Sequence, residues 1–274
     1  MRTLRLFLAV GAVTFGGCLQ STTLIRVNGD GSGTIEHNML LSGAALAQLR
    51  QFSAPGNNSK PVDPFSEDQA RAAAASIGPS VTFVSSTPLK TEDGEGRSVV
   101  YAFSDINQIT VNAQPPTPGG ITARGSGVET AKRQDILFAL TRLPNGDALI
   151  RITMPPPHIP ASPAPGPDAE SQVPRTMSPE QLAMAKQMFG GMKISLAVEP
   201  AGRLVSTTSP FVDGQRVTLM DLDFDQLVKD EGAFARLQGV HSVEDAKTAL
   251  KDVPGVRIWL EREITIEFSP GQSF

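Results

Sequence analysis

Residues 22–41 read TTLIRVNGDGSGTIEHNMLL. Apolar residues recur at strand spacing from Leu24, and Thr34 to Leu41 resumes the same pattern after the glycines. Asn-Gly and Asp-Gly are the dipeptides that most readily supply the positive φ of a tight two-strand turn. The stretch therefore predicts two antiparallel strands around a Gly-rich turn. A calcium loop is the competing interpretation. With Asn28 in its first position, Asp30, Ser32 and Gly33 fall in the third, fifth and sixth. The twelfth, where a bidentate Glu completes the shell, is Met39, and strands rather than helices flank the loop. The turn is preferred.

Downstream, SGAALAQLRQF (42–52) predicts a helix capped by Ser42, with Leu46, Leu49 and Phe52 on one face. Residues 53–64 read as a loop, and Ser66 with Gln69 forms a capping box ahead of an Ala-rich helix. VTFVSS (81–86) and RSVVYAF (97–103) predict strands, and residues 137–154 predict a hairpin turning at Pro144 to Asp147. Residues 155–176 are so rich in proline that an extended, exposed segment is expected. A helix follows from Ser178 and Pro179, an N-cap and an N1 proline. KISLAVEPAGRLVSTT (193–208) predicts another hairpin, and QRVTLMDLDF (215–224) another strand. Two or three helical stretches reach Lys251, and VRIWLEREITIEF (256–268) predicts one closing strand. Short turns between neighbouring strands imply antiparallel pairing. The expected fold class is α+β: a mainly antiparallel sheet with packed helices and a long Pro-rich surface loop.

The first residues have a different character. Met1 to Arg5 is basic and Leu6 to Phe15 is apolar apart from Gly11 and Thr14. Gly16, Gly17 and the single cysteine of the chain, Cys18, come next. This is the three-part plan of an export signal over residues 1–17. Its apolar part falls well short of the roughly 20 residues a spanning helix needs. Phe15, Gly16, Gly17 and Cys18 resemble the lipobox of bacterial lipoproteins, with Phe15 where Leu, Val or Ile is usual. That resemblance implies cleavage before Cys18, a diacylglycerol on its sulfur, acylation of the new amino group and a lipid-anchored place in the cell envelope. Two or three long chains hold a protein at a membrane where one would not. Leu19 and Gln20 lack the Asp that would imply inner-membrane retention, which points to the outer membrane in a bacterium with two.

The 274 residues carry a formal net charge of −4, and removing residues 1–17 takes away Arg2 and Arg5 but no acid. No Lys/Arg cluster stands out, so no nucleic-acid partner is expected. His37, His158 and His241 lack metal-ligand spacing, and no G-x-S-x-G elbow, P-loop or dinucleotide fingerprint is present. The expectation is a non-enzymatic protein without cofactor or metal. Asp221, Asp223 and Asp225 alternate as strand carboxylates of a metal site would, but Asp223 is better placed to cap the helix that follows. Met184, Met188 and Met192, four apart, make a stripe on one helical face, with Met177 just before. Such a stripe either fills a core or lines a pliable apolar site.

After the cysteine the chain is similar to envelope lipoproteins of the LppM kind. The likeness lies in residues 21–49, a strand–Gly turn–strand unit followed by a helix. It lies also in residues 194–227, with a Pro/Gly turn, a polar Ser-Thr-Thr step and a final strand. The Pro-rich segment and residues 232–268 depart from that pattern. The resemblance implies an α+β domain on the envelope surface that binds lipid or glycolipid, and it brings no catalytic residue. The domain would then comprise residues 18–154 and 177–274 on either side of the Pro-rich loop or linker. Two functions follow. One is a binding lipoprotein whose apolar groove is walled by Met184, Met188 and Met192. The other is a scaffold contacting envelope proteins through residues 155–176.

Overall fold

In the computed structural model, β1 (Leu19–Val27) and β2 (Gly33–Ser42) form the hairpin expected of residues 22–41. The structure describes residues 19–52 (backbone only from 48), 65–92, 94–113, 134–156, 189–230 and 242–271, with the single positions 180, 183, 186, 232, 236 and 240. The turn between β1 and β2 is closed by its own side chains. Asp30 Oδ1 accepts from Ser32 N at 2.9 Å and from Ser32 Oγ at 2.6 Å, while Gly31 takes a φ of 91°. A Cβ on Gly33 would lie 2.6 Å from the Phe103 ring and 2.0 Å from the Arg26 carbonyl oxygen, so only glycine lets these strands close.

α1 (Gly43–Phe52) starts where Ser42 Oγ accepts from Ala45 N at 3.2 Å. α2 (Glu67–Ile77) starts likewise, with Ser66 Oγ accepting from Gln69 N. β3 (Val81–Lys90) and β4 (Gly94–Phe103) follow, then a single 3₁₀ turn at Ile106–Gln108, β5 (Thr110–Asn112), β6 (Asp135–Arg142) and β7 (Ala148–Thr153). The C-terminal part supplies β8 (Lys193–Pro200), β9 (Gly202–Thr207), β10 (Val212–Asp213), β11 (Arg216–Asp223) and α3 (Phe224–Leu227). It ends with α4 (Val243–Leu250), β12 (Val256–Ile258) and β13 (Glu263–Pro270).

Two sheets result. The larger runs β10-β11-β8-β1-β2-β4-β3, with β12 also on β11, and the smaller runs β5-β6-β7-β13-β9. Strands hold 51% of the described residues and helices 21%, which corrects the expected α+β class with packed helices: this is a two-sheet, mainly β fold. The helices foreseen at 43–52 and 67–77 exist, but they are short and border the sheets.

Two segments account for the correction. Residues 193–208 are not a hairpin: β8 lies in the larger sheet and β9 in the smaller, and the two do not pair. Pro200 has no N–H for a ladder and Gly202 adopts a φ of 141°, so the chain turns from one layer to the other there. Residues 256–268 divide in the same way between β12 and β13. β8 pairs with β1 in parallel, and the other strand pairs are antiparallel, as expected of a mainly antiparallel sheet.

Both sheets bury one face in a shared core. Ile25, Val198 and Leu219 from the larger sheet and Ile150, Ile266 and Phe268 from the smaller are wholly inaccessible to solvent. At about 25 cal/mol per Å² of apolar surface, this core is the main force holding the layers together. A smaller cluster of Phe224, Leu227, Val228, Val253 and Val256 packs beside α3. Among the described residues no helix is long and apolar enough to cross a membrane.

Candidate functional site

Alternation, broken by register shifts between Thr218 and Met220 and between Phe83 and Ser85, sends every second residue of β1, β2, β4 and β8 in the larger sheet toward the smaller one. The register places Thr23 opposite His37, Ile25 opposite Ile35, Ile35 opposite Tyr101 and Thr23 beside Leu196, so these side chains share the inner face. The smaller sheet does not cover all of that face. Its edge strand β5 is only three residues long, and α2 lies beside it, leaving a cavity of about 270 Å³. The floor is Thr23, Ile35, His37, Tyr101, Leu196 and Met220. Ala73, Ser76 and Ile77 of α2 close one side, and Thr110 to Ala113 with Asp135 close the other.

α2 is held over this space by a specific contact. The Tyr101 hydroxyl donates to the Ala70 carbonyl oxygen at 2.9 Å, and the Arg71 guanidinium lies 4.4 Å from the centre of the Phe83 ring. The Ala-rich face of the helix, with Ala74 buried, allows a close approach to the sheet. Burial pushes the Tyr101 hydroxyl above its ordinary pKa.

One polar pair interrupts the apolar floor. Thr23 Oγ1 and His37 Nδ1 lie 2.9 Å apart, in a hydrogen bond whose direction follows the imidazole tautomer. Burial holds the His37 imidazole below its usual pKa, so it is neutral at pH 7. The cavity thus combines a largely apolar floor and an uncharged hydrogen-bonding pair with the polar side chains of Ser76, Thr110, Asn112 and Asp135 at its sides, the composition of a site for a small apolar or amphiphilic molecule.

The methionine stripe falls elsewhere. Met192 is partly buried against the cluster around Phe224, and its carbonyl oxygen accepts from Phe224 N at 3.0 Å. It does not line the cavity, whose methionine is Met220. Met184, Met188, Cys18, His158 and His241 lie outside the described residues. The three aspartates of residues 221–225 have separate roles. Asp223 caps α3 through Gln226 N and pairs with Lys193, Asp221 pairs with Arg257, and Asp225 accepts from Gly191 N.

Sequence reasoning did not select Thr23, His37, Tyr101, Leu196 or Met220. The period-two pattern of β1 and β2 contains the signal, since it puts Thr23 and His37 on the core face among Ile25, Val27 and Ile35. Which part of that face stays uncovered depends on β5, β6 and α2, and only the tertiary arrangement reveals it.

No protein-family model and no curated protein matches this sequence. Among solved structures, the NMR structure of the folded domain of Mycobacterium tuberculosis LppM is similar at 11% identity, with 81% of this chain and 88% of that chain covered. The TM-score is 0.30, and at that level the superposition assigns neither a fold nor any residue role to this chain.

Proposed function

We propose that this protein is a non-enzymatic, lipid-anchored envelope protein that holds an apolar or amphiphilic ligand between its two sheets. The observation carrying this reading is the cavity over Ile35, Leu196 and Met220, with the Thr23–His37 pair in its floor and Ser76, Thr110, Asn112 and Asp135 among the residues at its sides. Isolated apolar residues on a surface need no explanation, but a concave site with a few convergent polar groups is where small molecules bind. The anchor rests on sequence: a short export signal ending at Cys18. In a bacterium with two membranes, the residues after Cys18 favour the outer one.

Ligand and anchor are tested separately. Full-length protein is extracted from its membranes in mild detergent, washed, and its bound molecules weighed by mass spectrometry. One apolar or amphiphilic molecule per chain is expected, and Ala73→Phe, which fills the cavity from α2, removes it. Equal recovery from the variant would refute the cavity as the site. Cys18→Ser moves the protein from the membrane to the soluble fraction, and a variant that stayed with the membrane would refute the anchor.

A further inference from the structure

The Thr23–His37 contact in the cavity floor uses only one of the two imidazole nitrogens. Nδ1 lies 2.9 Å from Thr23 Oγ1, and Nε2 has no hydrogen-bond partner among the described residues. Arg97 Nε is the one side-chain nitrogen or oxygen among them that is both sealed from solvent and without a partner, so His37 Nε2 keeps open surface. His37 is part-exposed although protein surrounds its ring, and it lines the cavity. Its free nitrogen therefore opens onto the cavity. Three hydroxyls at the same site are already engaged as donors. Tyr101 donates to the Ala70 carbonyl oxygen at 2.9 Å, Ser76 to that of Ala73 at 2.7 Å and Thr110 to that of Ile77 at 3.3 Å.

A polar nitrogen in a largely apolar site favours a ligand that supplies its hydrogen bond, because an apolar molecule seated over it leaves it unsatisfied. Burial keeps the imidazole neutral, with one N–H and one bare nitrogen. Which of the two is Nε2 follows from the direction of the Thr23 bond. A ligand hydroxyl both donates and accepts, so it satisfies either tautomer. Among the described lining residues there is no Lys or Arg, and the one acid is Asp135, so no cation there balances an anionic head. We propose that the ligand of the cavity is an uncharged amphiphile with a hydroxyl head, bonded to His37 Nε2, and an apolar body over Ile35, Leu196 and Met220. The assignment rests on the cavity being a binding site and adds the chemical class of what it takes.

The test uses full-length protein in nanodiscs of zwitterionic lipid, with empty nanodiscs as blank, titrated calorimetrically at neutral pH with 1-octanol, 1-chlorooctane and octanoate. His37→Leu is expected to weaken 1-octanol about fivefold and to leave 1-chlorooctane within about twofold, the difference of one hydrogen bond. His37→Gln, whose amide can donate and accept, keeps 1-octanol within about twofold of the wild type. Equal effects of His37→Leu on 1-octanol and 1-chlorooctane would overturn the role of Nε2 and leave the apolar cavity standing. Octanoate binding the wild type as tightly as 1-octanol would overturn the uncharged head, and this comparison needs no variant. Failure of both neutral compounds to bind would overturn the cavity reading itself.

Discussion

Thr23 Oγ1 stands 2.9 Å from His37 Nδ1 across the β1–β2 ladder, and both side chains face the space between the sheets. This side-chain contact adds to the backbone ladder of the two strands that begin the fold and sets a polar pair in the cavity floor. Stability and binding therefore meet at the same pair.

His37 makes stability depend on pH. Burial lowers its folded pKa below the unfolded value of about 6.5, so the unfolded chain takes up a proton first as the solution is acidified. Its contribution is complete above that unfolded value and is lost as pH falls through the folded pKa. The denaturation midpoint of the wild type is expected to drop from pH 7.5 to pH 5 more steeply than that of His37→Gln. Parallel curves would show that the imidazole is not desolvated.

Tyr101→Phe removes the hydrogen bond to the Ala70 carbonyl oxygen and leaves the ring in place. The expected cost is about 1 kcal/mol in urea unfolding. Hydrogen exchange should quicken at the amides of α2, the element over the cavity, and not at those of β13. Unchanged exchange along residues 70–77 would show that the helix is held by its alanine contacts alone.

Gly33→Ala places a methyl group against the Arg26 carbonyl oxygen and the Phe103 ring, where the chain has no room. A loss of about 1–3 kcal/mol is expected, as for other overpacked sites. Gly43→Ala, at a position with nothing within 4 Å of the added carbon, serves as control and should change little. Equal stability of the two variants would contradict the close approach of β2 to β1 and β4.

Local chemistry was legible in the sequence and layer assignment was not. The Asn28–Ser32 turn, the Ser42 and Ser66 caps, the Pro144–Asp147 turn and the Asp223 cap depend on residues a few positions apart. The passage of the chain between sheets at Ala201–Gly202 and again at residues 259–262 depends on long-range pairing, of β8 with β1 and of β13 with β7. An apolar strand that stays in its sheet and one that crosses to the next carry the same alternation. The cavity depends on how β5, β6 and α2 sit over the larger sheet, another long-range arrangement, and so the sequence did not mark His37 as part of a site. The methionine stripe drew attention because its spacing is local, whereas Met220 and Thr23 meet only across strands.

The most direct measurement is equilibrium binding of N-phenyl-1-naphthylamine, a neutral probe that fluoresces in apolar surroundings, to the full-length wild type and to Ala73→Phe. Saturable binding at one site per chain, lost in the variant while its melting temperature is kept, is the result predicted by an open apolar cavity under α2. Binding of equal strength by both proteins, or none by either, would contradict it.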